Sequence, residues 1–127
     1  MLIHNLIITL GLTVIFSETP NLSGGYEQKT INGCYRDKKK EIVIGYKNPN
    51  ETLYHEVGHA KFLHDEEIKA IIKEAPQPNP YDRKIYDSEE KILNEKVADY
   101  FVLYIMDPTA LRWLYPEIYK AFENKLK

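Results

Sequence analysis

The stretch NETLYHEVGHAKFLH, running from Asn50 to His64, decides how this chain folds and what it can do. At its centre stands His55-Glu56-Val57-Gly58-His59, an H-E-x-x-H pattern. A helix is the local structure these residues favour. Leu53, Val57, Ala60 and the Phe62/Leu63 pair fall at helical spacing, and no proline follows Pro49. Glu51 suits the positive end of the helix dipole, and Asn48 or Asn50 is expected to cap the start, with Pro49 near the first turn. Residues four apart on a helix share one face, with Cβ atoms about 5–6 Å apart, so two imidazoles can reach one ion at about 2.0–2.1 Å. Glu56 is turned by about 100° from His55, which sets it beside the metal instead of on it. Gly58 adds no side-chain bulk and lets another element approach, at some cost in helix propensity. Two neutral nitrogen ligands and a carboxylate placed to take a proton from water are the needs of a zinc hydrolase. A chance match on an ordinary amphipathic helix would leave three of the four histidines crowded here without reason. His64, the third, lies five residues past His59 and is read as a surface or packing residue.

A catalytic zinc takes a third protein ligand and keeps one position open. Asn94-Glu95-Lys96-Val97-Ala98-Asp99-Tyr100 supplies the strongest candidate, inside a second helical pattern from about Ser88 to Met106. Ser88 can cap that helix, and Glu89 and Glu90 suit its first turn. Ile92, Val97, Phe101 and Ile105 fall near helical spacing. Glu95 and Asp99 are four apart on one face, which suits a division of labour. Glu95 would ligate the metal, and Asp99 would accept a hydrogen bond from the far nitrogen of a ligand histidine, fixing its tautomer. A solvated charged face is the commoner fate of such residues, and the H-E-x-x-H pattern is what tips the balance.

With both segments in view, H-E-V-G-H and E-K-V-A-D resemble the gluzincin metallopeptidases, whose pattern is H-E-x-x-H plus a downstream Glu-x-x-x-Asp. The order of elements is similar to that of the minigluzincins, the minimal soluble members, and of peptidase domains that cleave phage repressors. Leu10-Gly11-Leu12 leading into a strand carries part of the likeness. So do Asn21-Leu22-Ser23-Gly24-Gly25-Tyr26 and Tyr104-Ile105-Met106-Asp107-Pro108. The likeness covers roughly residues 8 to 120, but only the two short motifs are specific. It implies Zn2+ held by His55, His59 and Glu95, with Glu56 as general base and acid and Asp99 as the supporting carboxylate. It further implies latency: residues 108–127 would block the cleft, within one molecule or by helix exchange in a homodimer.

The chain departs from the pattern in two places. The stretch from His59 to Glu95 is longer than usual and contains Ala75-Pro76-Gln77-Pro78-Asn79-Pro80-Tyr81, which no helix would tolerate. Asp65 to Glu74 is expected to continue the helix or form a short one, and Pro76 to Asp87 to form a loop. No residue matches the family's oxyanion-stabilising Tyr or His securely. Tyr100, Tyr104, Tyr115 and Tyr119 are candidates, but with 10 tyrosines in the chain, one near the site carries little information.

The remaining sequence sets bounds. At 127 residues, 43% hydrophobic and 28% charged, the chain is expected to form a single zincin-like domain over residues 1–127. A net charge of −2 gives no electrostatic case for nucleic acid. Lys38-Lys39-Lys40, the only basic cluster, reads as a solvated hairpin tip. The single Cys34 excludes an intramolecular disulfide and reads as a buried small hydrophobe before any metal-capping thiolate. Leu2 to Phe16 is apolar but short of a membrane span, and it lacks the basic start and small-residue cleavage site of a signal peptide. A helix from about Leu2 to Leu10, a turn at Gly11 and a core strand from Leu12 to Ser17 are expected. A cytoplasmic protein follows, with an uncleaved leader as the competing reading.

Gly24-Gly25 and Asn32-Gly33 are turn signals. Gly33–Arg36 and Glu41–Lys47 read as strands around a turn at Asp37 to Lys40. Ile42, Ile44 and Tyr46 alternate with Val43, Gly45 and Lys47, which predicts one apolar face. By the family resemblance, Glu41 to Tyr46 would be an edge strand able to bind an extended peptide. After Pro108, Thr109 is expected to cap a helix carrying Leu111, Trp113/Leu114, Ile118 and Phe122, broken by Pro116 near Tyr115. The fold class is thus α+β. A small antiparallel or mixed sheet of about three strands packs on the H-E-x-x-H helix and the Glu95 helix, flanked by N- and C-terminal helices. The activity expected is zinc-dependent endopeptidase on peptide or protein substrates. A non-catalytic zinc or peptide-binding module, or a dedicated protease acting on one partner such as a repressor, is the alternative.

Overall fold

A computed structural model of the chain describes residues 2–18, 32–78 and 88–127. Among these residues six helices and a three-stranded mixed sheet are formed, in the order α1 (Leu2–Thr9), β1 (Thr13–Phe16), β2 (Gly33–Arg36), β3 (Glu41–Ile44), α2 (Pro49–Phe62), α3 (Glu66–Lys73), α4 (Glu89–Met106), α5 (Pro108–Leu114) and α6 (Pro116–Leu126). The α+β class is therefore as expected. The Asn21–Tyr26 motif, the Gly24-Gly25 turn and most of the expected Pro76–Asp87 loop lie outside the described residues. The chain divides into two compact units, Met1–Lys61 and Phe62–Lys127.

In the first unit, α1 ends because Gly11 enters the left-handed region at φ 66°. The Leu12 N–H then reaches back to the Ile7 carbonyl (2.9 Å) and the Gly11 N–H to Ile8 (3.1 Å), satisfying two terminal carbonyls in a Schellman turn. β1 follows at once. It pairs in parallel with β3, with Thr13 opposite Glu41 and Phe16 opposite Ile44, while β2 pairs antiparallel on the other side of β3. The sheet order is β1-β3-β2.

This order corrects two expectations. β3 is central, not an edge, so both of its main-chain rows are occupied and it cannot bind an extended peptide by strand addition. Its apolar pattern also differs: Ile42, Val43 and Ile44 are all buried, as befits a strand covered on both faces, where a continuous apolar run replaces alternation. The ladder ends there, and Tyr46 lies exposed, stacked on Phe16 with ring centroids 5.8 Å apart. β1 is the second correction. It was expected in the core, yet Thr13, Ile15 and Phe16 are exposed, because it flanks the sheet instead of filling it. The turn at Asp37 to Lys40 is as expected, with Lys38, Lys39 and Lys40 exposed. Lys40 takes a positive φ of 54°, and its N–H closes the turn onto the Asp37 carbonyl at 3.3 Å.

In the second unit, α3 is a separate helix and not a continuation of α2. Asp65 starts it by accepting the Ile68 N–H at 3.0 Å. Ile68 and Ile72, one turn apart, are fully buried. Asp107 closes α4 and opens α5, its carboxylate accepting the Ala110 N–H at 3.2 Å, so the cap is Asp107 and not Thr109. Proline stands first in both α5 and α6, where its missing N–H costs nothing. The break at Tyr115 resets the helical phase. Leu111, Ile118 and Phe122 are buried as expected, whereas Trp113 and Leu114 face solvent. Phe62, Phe101 and Phe122 form a triangle of edge-to-face contacts with centroids 5.3, 5.6 and 5.9 Å apart, the core of this unit. Each such pair contributes about 0.5–1.5 kcal/mol beyond its buried area. Among the described residues no helix is long and apolar enough to cross a membrane.

Candidate metal centre

Helix α2 begins at Pro49, preceded by Asn48 at φ 50°, a left-handed conformation asparagine tolerates better than most residues. The Asn48 carbonyl accepts the Thr52 N–H at 3.1 Å, so of the two candidate caps Asn48 stands at the boundary and Asn50 lies within the helix. What lets α2 lie close to the sheet is Gly33. A Cβ there would meet Thr52 Cγ2 and the Val43 carbonyl oxygen, each at 2.7 Å. Thr52 is one turn before Glu56, so this contact fixes the start of the helix that carries the motif.

On α2 the His55 and His59 rings are neighbours, with centroids 4.8 Å apart and planes at 84°. His59, Glu56, Val57 and Gly58 are buried, and His55 is half-buried. The four-residue spacing thus does what the sequence implied. Glu56, 6% exposed, lies close enough to Cys34 to affect its thiol. Burial pushes the Cys34 pKa up, and the Glu56 charge adds to the shift. Cys34 is 2% exposed, in keeping with a small buried hydrophobe.

Helix α4 starts where expected, with the Ser88 hydroxyl accepting the Lys91 N–H at 3.1 Å. Glu95 is buried, and Asp99, one turn on, is half-buried. His55, His59 and Glu95 each offer one ligand atom, and those atoms all lie within 4.8 Å of one another. Among the described residues this is the one group of three or more His, Cys, Asp or Glu side chains so gathered. His64 is exposed and does not join it, nor does Cys34.

Two imidazole nitrogens and one carboxylate oxygen are a donor set suited to zinc. Ligands at about 2.0–2.2 Å around a tetrahedral ion stand about 3.5 Å apart, and separations within 4.8 Å are near enough for this group that it could hold a metal ion. The structure therefore gathers three of the residues singled out in the sequence into a group that could hold a metal ion.

The four tyrosines weighed as oxyanion donors are engaged elsewhere in the second unit. The Tyr100 hydroxyl donates to the Pro76 carbonyl at 2.7 Å, and its ring meets that of Tyr115 edge-on. Burial, aided by Tyr115, pushes the Tyr100 pKa well above its ordinary range. Tyr104 donates to the Glu123 carboxylate, and its ring lies against that of Tyr119, which the Arg112 guanidinium covers.

Lys96 was not singled out in the sequence. It is 6% exposed, and its ammonium donates to the Lys73 carbonyl at 2.9 Å. A lysine beside a candidate ligand reads as a solvated charge, and no sequence signal distinguishes it from one. No protein-family model, curated protein or solved structure matches this chain.

Proposed function

We propose that this protein is a zinc-dependent endopeptidase of the minigluzincin type. The observation that carries the proposal is the gathering of His55, His59 and Glu95, with Glu56 buried one residue along from His55 on the same helix. In this reading His55, His59 and Glu95 hold the metal. Asp99, one turn from Glu95, orients a ligand imidazole by accepting its second N–H. Zinc, when bound, supplies Lewis acidity that lowers the pKa of water toward about 7. Glu56 would accept the proton of the attacking water and later deliver it to the leaving amine, the general base and acid role of a positioned carboxylate.

Glu56→Gln separates catalysis from metal binding. The variant is expected to keep zinc, measured by metal analysis, and to lose peptide-library cleavage by about 10²–10⁴-fold or more. Loss of zinc with the activity would make Glu56 a structural residue, and wild type that takes up zinc and cleaves no peptide would replace the enzyme with a zinc-binding module.

A further inference from the structure

Helix α4 is tied to α3 and to the residues just after it by three polar contacts on its length. The Lys69 ammonium pairs with Glu90 at 3.0 Å, the Lys96 ammonium donates to the Lys73 carbonyl at 2.9 Å, and the Tyr100 hydroxyl donates to the Pro76 carbonyl at 2.7 Å. Lys69, Lys96 and Tyr100 are all buried, at 5%, 6% and 1% exposure, while Glu90, Lys73 and Pro76 are exposed residues, so each contact is part-buried, anchored from the buried side by the α3 or α4 side chain. Lys96 and Tyr100 are one turn apart, as are Glu95 and Asp99. The two pairs are adjacent in sequence, and therefore occupy faces about 100° apart on the same helix.

We propose that Lys96 and Tyr100 are positioning residues for the metal centre, locking the roll of α4 so that Glu95 keeps its place among the donors. The magnitudes support this. Side chains stand about 5–6 Å from a helix axis, so a roll of only about 10° moves a carboxylate oxygen by about 1 Å. Metal–ligand distances tolerate about 0.2 Å. The apolar driving force is not itself directional, so the packing of Phe101 holds α4 in place without specifying the position of a single carboxylate oxygen. Hydrogen bonds to two fixed carbonyls are directional and resist such a roll. Lys73 ends α3, and Pro76 follows it in the chain, so both acceptors belong to one anchored segment.

The proposal rests on the metal reading above, and one experiment separates the two. Zinc affinity is measured by competition with a chromophoric chelator, on full-length wild type, Lys96→Met, Lys96→Arg, Tyr100→Phe and Glu95→Ala, well below the melting temperature of each. Lys96→Met and Tyr100→Phe keep the buried volume close to native. The expected result is a loss of about 10–100-fold in affinity for each, the range found for groups that orient metal ligands. Lys96→Arg, which still donates to the carbonyl, should recover most of it. If Lys96→Met and Tyr100→Phe lower the melting temperature but bind zinc like wild type, while Glu95→Ala does not, the positioning role is overturned and the metal reading stands. If wild type itself takes up no zinc, the metal reading falls and the positioning role falls with it.

Discussion

The imidazoles of His55 and His59 face each other edge to plane, 4.8 Å between centroids and 84° between planes, on consecutive turns of one helix. Neither ring stacks flat on the other, and one ligand atom of each lies within 4.8 Å of the other and of Glu95. His55→Ala should therefore remove one donor without disturbing α2, since alanine is the best helix former and the position is only half-buried. Groups that merely orient ligands are worth about 10–100-fold in metal affinity, so loss of a ligand should exceed that range. Chelator competition reads the affinity, and an unchanged far-UV circular dichroism spectrum shows that the helix persists. Affinity within a few-fold of wild type would remove His55 from the centre.

Gly33 stands where a side chain has no room. A Cβ would come within 2.7 Å of the Val43 carbonyl, which is backbone in the central strand and cannot swing aside. Gly33→Ala should thus cost about 1–3 kcal/mol, the usual range for overpacking a close-packed site, and loosen the start of α2. Urea denaturation gives the cost directly. A variant as stable as wild type would show that Thr52 and the sheet yield without strain.

Tyr104 donates its hydroxyl to Glu123, and this contact is the first cause of the lowered pKa of the Glu123 carboxyl. A carboxylate whose folded pKa is depressed contributes stability above its unfolded value of about 4.3, lost as pH falls through the folded value. Tyr104 has the opposite sign. Its pKa is raised, by burial first and then by Glu123, so its contribution is present below about 10 and is lost as pH rises through the folded value. Tyr104→Phe should move the Glu123 pKa back up toward the ordinary carboxylate range, read by carbon-detected NMR titration. An unmoved titration would assign the shift to Lys127 and Tyr119 instead.

The legible parts of this chain were those set by local rules. Helical spacing and the Ser88 cap located α4 to within a residue, and the four-residue interval in H-E-x-x-H placed the two rings correctly. Strand order was not legible. Whether Glu41–Ile44 is central or at an edge depends on where β1 docks, and β1 carries no sign of its partner in its own four residues. The run Ile42-Val43-Ile44 was the one available hint, since uninterrupted apolar residues mark a strand covered on both faces. Lys96 was hidden for a different reason. A buried ammonium and an exposed one have the same sequence, and only the Lys73 carbonyl distinguishes them.

Phe122 lies on α6, fully buried against Phe62, Phe101 and Tyr104. The C-terminal helix is thus part of the second unit's core, and this bears on the latency that the family resemblance implies for residues 108–127. Cutting the chain after Tyr115 would remove Ile118, Ala121 and Phe122 together, each buried. Removing a buried phenylalanine alone typically costs about 3–5 kcal/mol, a large share of the roughly 5–15 kcal/mol that holds a small domain. Truncation at Tyr115 should therefore unfold the second unit, and with it lose the Glu95 donor, before any release of a blocked site could be seen. Phe122→Ala in the full chain isolates the packing effect, and its cost is read as a lowered midpoint in thermal melts. Trp113 and Leu114 are exposed and do not hold this core, so Trp113→Ser should leave the stability within about 0.5 kcal/mol of wild type. A truncated protein that melts like wild type would show that α6 is dispensable, and would return the latency of residues 108–127 to a direct cleavage assay.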